Sequence, residues 1–318
     1  MEETGSFPAS KHFRLERLAD GLYVSIASDT GAATCNAGIV DLGDRTLIFD
    51  PFLTPTAAED LRAAAAQLTN RPVAYVVNGH YHNDHIRGNQ VFSADTDIIS
   101  TTLTRELIAT KGVDEIRWDT RNSPEQLHVF EERLKTETDA NTRKDIAFWV
   151  GYHRSIIESL PTLELRLPNR TFDKRLVFHG SRRTAEVITF GGGHTESDSI
   201  LYLPAERIAF MGDLLFIGCH PYLADGDPQE WLRSLAQIEL LGLETLIPGH
   251  GRVGTSDDLA LMRQYITELE ALAAEVVKAE GSADQAAEQA IPPRFESWRF
   301  ARFFPTNMRF LHERILKA

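Results

Sequence analysis

Two stretches of the chain repeat one order of features, and this repetition limits the folds available to it. "GIVDLGDRTLIFDPFL" is followed by an alanine-rich helix and "VAYVVNGH", and "SILYLPAERIAFMGDLLF" by a helix and "ETLIPGH". In each stretch a hairpin ends in an aspartate (Asp50, Asp213), a helix crosses over, and a strand ends in Gly-His (His80, His250). The repetition predicts two like halves, two sheets packed face to face with helices outside, and strand ends that converge.

A cluster of metal-ligating side chains follows the strand "VAYVV" of the first half. His80, His82, Asp84 and His85 lie within six consecutive positions. Protonated imidazoles this close together repel, and a divalent cation removes the conflict by binding the nitrogen lone pairs and the carboxylate together. One turn does not complete a metal site, so we expect further ligands from other strand ends. The candidates beside glycines are His194 in "GGGHT", Asp213 in "MGD" and His250 in "PGHG".

Composition and charge exclude several classes of protein. The net charge is −13, from 46 acidic and 33 basic residues, whereas nucleic-acid binding needs basic surfaces for phosphate contacts. No stretch approaches the roughly 20 apolar residues of a membrane span, and the N-terminus lacks the pattern of a signal peptide. Two cysteines can form at most one disulfide bond, which cannot stabilise the fold of a chain of 318 residues. We therefore expect a cytoplasmic protein that acts on a small molecule, with no nucleic-acid or membrane partner.

Two helical segments lie outside the repeated pattern. Residues 103–160 are charged, glycine-poor and helical in period, with a capped helix start expected at Ser123. Because the ends of this segment adjoin core strands, it must fold back over the sandwich. Its aromatic side chains then either form the core between its own helices or form the apolar wall of a substrate pocket. In the second case the segment acts as a lid. Residues 282–318 form an aromatic, arginine-rich helical tail, which we expect to support the lid or to form a homodimer contact.

Taken together, the histidine cluster and the later candidates resemble the signature of the metallo-β-lactamase-fold hydrolases. The parts "HYHNDH", "GGGHT", "MGD" and "PGHG" occur in the order of that signature, and the resemblance covers roughly residues 15–280 apart from the helical stretch. It implies an α/β fold, an αββα sandwich with a metal site at one edge. We expect residues 1–318 to form one such domain, with a helical insertion and a helical C-terminal extension.

The same resemblance implies a dinuclear site of seven ligands. One metal would be held by His80, His82 and His194, and the second by Asp84, His85 and His250, with Asp213 as the bridge. It implies two zinc ions as cofactors, with iron or manganese as the alternatives. A bridging aspartate is similar to the glyoxalase II and lactonase branches. However, Phe216 replaces a tyrosine of the acyl-homoserine lactonases, and no glutathione-binding pattern is present, so the branch stays open.

Such a site implies hydrolysis of a carbonyl compound. Two close divalent cations lower the pKa of a shared water, and the resulting bridging hydroxide attacks an ester, thioester, lactone or β-lactam. Asp84 is placed to orient the nucleophile and to pass a proton to the leaving group. Asp50 either accepts a hydrogen bond from the ligand loop or only precedes Pro51. His220 and Tyr222, just past the bridging position, are candidates for lining the substrate pocket.

Three rival functions remain at this stage. A persulfide dioxygenase of the same fold is an oxidoreductase that uses one iron held by two histidines and an aspartate, and metal analysis with oxygen uptake would separate it from a hydrolase. A phosphodiesterase or nuclease is disfavoured by the negative charge. A metal-binding protein without catalysis is disfavoured because the full ligand set would be superfluous.

Overall fold

Two β-sheets pack face to face at the centre of the molecule. The structure is a computed structural model that describes residues 7–317. The first sheet has the strand order β1 (Phe13–Ala19), β2 (Leu22–Ala27), β3 (Ala37–Asp41), β4 (Thr46–Phe49), β5 (Val73–Val77), β6 (Asp97–Thr101) and β7 (Arg170–Phe172). The second has the order β12 (Thr245–His250), β11 (Ile208–Phe216), β10 (Asp198–Leu203), β9 (Thr184–Gly191) and β8 (Arg175–His179).

Each sheet contains one copy of the repeated unit. In the first, β3 and β4 form an antiparallel pair, α1 (Pro55–Thr69) crosses over, and β5 pairs with β4 in parallel. In the second, β10 and β11 are antiparallel, α6 (Pro228–Glu239) crosses over, and β12 is parallel to β11. The Thr54 hydroxyl caps the first turn of α1 by accepting from the Ala57 N–H at 3.3 Å. The predicted α/β sandwich is confirmed.

The core between the sheets is built from the inward faces of both. Phe49 of β4 and Phe210 of β11 meet across it with ring centroids 6.1 Å apart, and aliphatic side chains such as Leu47, Leu201 and Val187 fill the space around them. All nine residues of β11 are buried, because helices cover the outer face of this strand. Burial of each such side chain stabilises the fold by roughly 1.5–3 kcal/mol.

Helices cover the outer faces of both sheets. The apolar side of α1 packs on the first sheet, with Leu61 fully buried. The second sheet is covered by α6 together with α7 (Ser256–Lys278), α8 (Ala283–Ala287) and α9 (Phe303–Lys317). The αββα layering follows from these contacts. No helix within residues 7–317 has both the length and the apolar character needed to cross a membrane.

A helical excursion connects β6 to β7. It consists of α3 (Thr102–Leu107), a π-helical turn (Ile108–Gly112), α4 (Val113–Thr136) and α5 (Ala140–Ser159). The expected helix start at Ser123 is wrong, because α4 begins at Val113 and continues through Pro124. The buried Ser123 hydroxyl lies 3.2 Å from Nδ1 of His153 on α5 instead of capping a helix. Packing between α4 and α5 therefore outweighs the loss of one main-chain donor at Pro124.

Candidate metal centre

The candidate ligands converge where strands of both sheets end. His80 and His82 follow β5, and the short helix α2 (Asn83–Ile86) carries Asp84 and His85. The second sheet supplies three more ligands. His194 lies in the β9–β10 turn, Asp213 lies on the fully buried strand β11, and His250 is the last residue of β12. The fold thus brings all seven predicted ligands together from the two halves.

The first group of ligand atoms consists of three imidazoles and one carboxylate. His80, His82, His194 and Asp213 each present a nitrogen or oxygen within 4.8 Å of the others. Nε2 of His194 lies 3.0 Å from Nδ1 of His82 and 3.3 Å from Oδ2 of Asp213. Nε2 of His80 lies 3.8 Å from the same oxygen. Four donors at these spacings match a tetrahedral site for a divalent cation.

A second group lies on the other side of Asp213. His85, Asp213 and His250 also present atoms within 4.8 Å of one another. Nε2 of His85 lies 3.2 Å from Oδ1 of Asp213, and Nε2 of His250 lies 3.3 Å from its Oδ2. Oδ2 of Asp84 lies 3.4 Å from Nε2 of His250. Behind this group the Cys35 thiol donates to the main-chain oxygen of Asp84 at 2.9 Å. Asp213 therefore belongs to both groups and has the position that a bridging ligand requires.

Unsatisfied polar atoms indicate that these groups are built for cations. Nε2 of His80, Nε2 of His85 and Oδ1 of Asp213 are buried without a hydrogen-bond partner among the described residues. Buried polar atoms without partners are costly, and a cation with nitrogen and oxygen ligands satisfies all of them at once. Imidazole and carboxylate are the ligands that zinc takes in proteins. The histidine and aspartate side chains present thus fit divalent metal ions.

The electrostatic environment favours the ligating protonation state of two histidines and of the shared carboxylate, whereas the neighbouring carboxylates raise the pKa values of His82, His85 and His250 above their usual value. Burial lowers the pKa of His194 to about 3 and that of His80 well below its usual value. Both rings therefore keep a free lone pair at neutral pH. Burial alone would raise the pKa of Asp213, but the neighbouring His250 and His85 hold it well below its usual value. The carboxylate is accordingly ionised and available to bind cations.

Two further carboxylates orient the imidazoles from behind. Oδ2 of Asp50 accepts from Nδ1 of His85 at 2.8 Å, and its Oδ1 accepts from the Gly79 N–H at 2.7 Å. Oδ2 of Asp225 accepts from Nε2 of His82 at 3.0 Å. Each bond leaves the opposite ring nitrogen directed at the ligand groups, which fixes the tautomer and the ring orientation. Asp50 has φ +54°, an uncommon backbone conformation at this position beside the ligand loop.

One glycine lets the strands approach closely enough for this geometry. A Cβ atom on Gly249 would lie 1.9 Å from Oδ1 of Asp213, well inside van der Waals contact. Only hydrogen fits there. The Gly-His pair at the end of β12 thus places His250 as a ligand and leaves space for the Asp213 carboxylate.

A cavity of about 300 Å³ opens onto the ligand groups. His82, Asp84, His194, Asp213 and His250 line one part of it. Aromatic side chains of the helical excursion and of the C-terminal segment form much of the remaining wall: Trp118, Phe148, Trp149, Tyr152, Phe300 and Phe303. Mostly apolar walls with a few polar groups are typical of small-ligand sites. The excursion is tied to the ligand loop where the Tyr152 hydroxyl accepts from the Asn83 side chain at 2.9 Å.

The two predicted pocket residues lie in different places. Tyr222 lines the cavity. His220 does not, since it is fully buried beside Trp298, with Nδ1 2.9 Å from the Tyr265 hydroxyl. The loop after β11 directs this side chain toward α7 rather than toward the ligands.

Several residues of the site escaped the sequence analysis. Asp225 lies in an acidic loop and carries no sequence signal that separates it from Asp227. Arg87, in the turn after the ligand loop, forms a buried ion pair with Asp119 of α4. Glu115 of α4 lines the cavity, where burial raises its pKa to about 7. The positions of Glu115 and Asp119 depend on how the helical excursion folds back, which local sequence patterns do not specify.

Comparisons with known proteins agree with the geometry. A family model described as the metallo-beta-lactamase superfamily matches residues 30–250. A solved metallo-beta-lactamase from Pontibacter korlensis is 18% identical, with a TM-score of 0.58, over 80% of this chain and 99% of that one. One from Hirschia baltica is 15% identical, also with a TM-score of 0.58, over 81% of this chain and 98% of that one. At this identity the two structures show a shared fold alone. The family match and the assembled histidine–aspartate centre lead to one conclusion: the chain belongs to the metallo-beta-lactamase superfamily.

Proposed function

We propose that this protein is a dinuclear, zinc-dependent hydrolase of a small ester, thioester, lactone or β-lactam. The superfamily and the histidine–aspartate groups support a metal-dependent hydrolase-like function. The observation that carries the dinuclear proposal is that Asp213 lies in both groups, with separate atoms facing His85 and His194. A site for one cation would not need a second set of donors around the same carboxylate.

The chain's own side chains supply the remaining requirements of the reaction. Bound divalent cations provide an activated water and a Lewis acid at neutral pH. Asp84 reaches the cavity with Oδ2 beside His250, where it would accept a proton from the attacking water and return it to the leaving group. The aromatic wall excludes bulk water and holds the apolar part of the substrate.

Residue 213 and its surroundings bear on the branch of the family. A carboxylate stands at the shared position, and Cys219 is not aimed at the ligands, because its Sγ lies 3.7 Å from the main-chain oxygens of Ile217 and His250. This supports a place in the glyoxalase II and lactonase branch, which has a bridging aspartate. The substrate we propose is a small molecule rather than a nucleic acid, given the net charge of −13.

Metal content and hydrolysis together test the proposal. Protein purified without chelators should contain about two zinc ions per chain, and His250→Ala should reduce this to about one. His128→Ala, at an exposed position, is the matched control and should keep the wild-type content. Zinc-loaded protein should hydrolyse at least one member of a panel of lactones, thioesters, esters and β-lactams. One tightly bound iron per chain with oxygen uptake would overturn the hydrolase in favour of the dioxygenase.

A further inference from the structure

One cationic side chain faces the cavity from the C-terminal segment. Of the cavity-lining residues in the described part of the chain, only Arg302 is a lysine or arginine. It precedes α9 and lies beyond residues 30–250, the range matched by the family model. Its guanidinium carbon lies 4.6 Å from the ring centroid of Trp149 and 5.1 Å from that of Phe130. Cation–π contacts of this kind hold an arginine in place without neutralising it.

Arg302 has no carboxylate partner within residues 7–317, although acidic residues outnumber basic ones in this chain by 46 to 33. Its neighbour Arg299 shows the usual arrangement, since it pairs with Asp29 and Asp145. Arg302 is solvent-exposed and lines the cavity, so its donors are available to a ligand there, in the fixed planar geometry that matches a carboxylate.

The acidic groups of the cavity are occupied elsewhere. Asp84 and Asp213 belong to the ligand groups, Asp225 accepts from His82, and Asp119 pairs with Arg87. Apart from Asp213 of the ligand groups, only Glu115 among the acidic residues described in the cavity wall has a carboxylate oxygen that is buried without a partner. Arg302 itself lies among Trp149 and Phe303.

We propose that Arg302 binds an anionic group of the substrate, a carboxylate, that is separate from the carbonyl under attack. The substrate class is then an ester, thioester, lactone or lactam whose apolar body carries a free carboxylate. This inference rests on the proposed function. Arginine and carboxylate form a bidentate, charge-assisted pair, and a cation already held by aromatic rings loses little conformational freedom on binding.

Two 4-nitrophenyl esters of matched length test this with zinc-loaded, full-length protein: the mono-ester of adipic acid, which is anionic, and 4-nitrophenyl hexanoate, which is neutral. Arg302→Gln should lower kcat/KM for the anionic ester about tenfold or more, mainly through KM. The value for the neutral ester should stay within about twofold. Arg302→Lys should recover part of the loss. Arg133→Gln is the control, because Arg133 also stacks on Phe130, at 5.8 Å, without lining the cavity.

An equal effect of Arg302→Gln on both esters, or no effect on either, would overturn the inference while leaving the hydrolase intact. If the wild-type protein hydrolyses neither ester, calorimetric titration with adipate and hexanoate decides. Adipate and hexanoate have one carboxylate in common, so only the second carboxylate of adipate reports on Arg302. Tighter binding of adipate that disappears in Arg302→Gln supports the anion site, and equal affinities in both proteins contradict it.

Discussion

Nε2 of His82 lies 3.0 Å from Oδ2 of Asp225, on the side of the ring away from the ligand groups. This bond directs Nδ1 of His82 toward His194 and fixes the tautomer that can bind a cation. We predict that Asp225→Ala lowers zinc affinity by about 10- to 100-fold, measured by competition with a chelator of known affinity. Asp225→Asn keeps an acceptor oxygen, so its zinc affinity should lie between those of the wild type and of Asp225→Ala. An unchanged affinity in the alanine variant would show that Asp225 does not support His82.

Asp213→Asn tests the shared ligand. The amide loses the negative charge that both groups need, so hydrolysis should fall at least about a hundredfold, and zinc content should fall as well. The folded structure should persist, as measured by circular dichroism. Asp95→Asn, at an exposed position, is the control. Turnover near the wild-type value would show that Asp213 is not a bridge, because a capping aspartate affects only stability, by about 1 kcal/mol.

The ion pair between Arg87 and Asp119 fastens α4 to the turn that follows the ligand loop. Both side chains are almost completely buried, so Asp119→Ala leaves a buried arginine unpaired and should cost about 3–5 kcal/mol in the free energy of unfolding. Asp114→Ala, in the same helix, removes an exposed pair with Arg117 and should cost less than about 0.5 kcal/mol. Urea titration of both variants checks this difference, and equal costs would refute it.

Gly249→Ala should displace the Asp213 carboxylate, because the added Cβ would lie 1.9 Å from its Oδ1. We expect loss of zinc from both groups at a cost in stability of about 1–3 kcal/mol. Gly112→Ala is the matched control, since its nearest neighbour would be 3.6 Å away. Elemental analysis of both variants gives the answer, and full zinc content in Gly249→Ala would mean that the carboxylate has room to move.

Buried His220 makes stability depend on pH. Burial lowers its pKa to about 4, below the value of about 6.5 in an unfolded chain. The contribution of neutral His220 to the free energy of unfolding is therefore complete above pH 6.5 and is lost as the pH falls toward 4. At pH 5 the loss is about 2 kcal/mol. When the pH is lowered from 7 to 5, the free energy of unfolding of His220→Gln should therefore fall by about 2 kcal/mol less than that of the wild type. Denaturant titrations in a chelating buffer exclude the effect of metal release, and His128→Gln is the control. Identical losses in His220→Gln and wild type would contradict the assignment.

Sequence patterns predicted the sandwich because its determinants are local. The hairpins ending at Asp50 and Asp213 and the strands ending in Gly-His each follow from residues close together in the chain. The expected helix start at Ser123 was wrong, because contacts between α4 and α5 decide the path of that helix. The side chain of His220 could not be placed, since the loop after β11 sets its direction. Asp225 and Arg302 went unnoticed because their neighbours come from distant segments.

The aromatic wall comes from segments that contribute no ligand. Trp149 belongs to an excursion between two strands, and Phe303 to a segment beyond the last strand. Substitutions in these segments can change which molecules are accepted without touching a single ligand atom. If the protein is the hydrolase we propose, its selectivity and its reactivity can be altered separately, and exchanging only residues 103–160 between relatives should change the substrates while leaving the metal ligands unchanged.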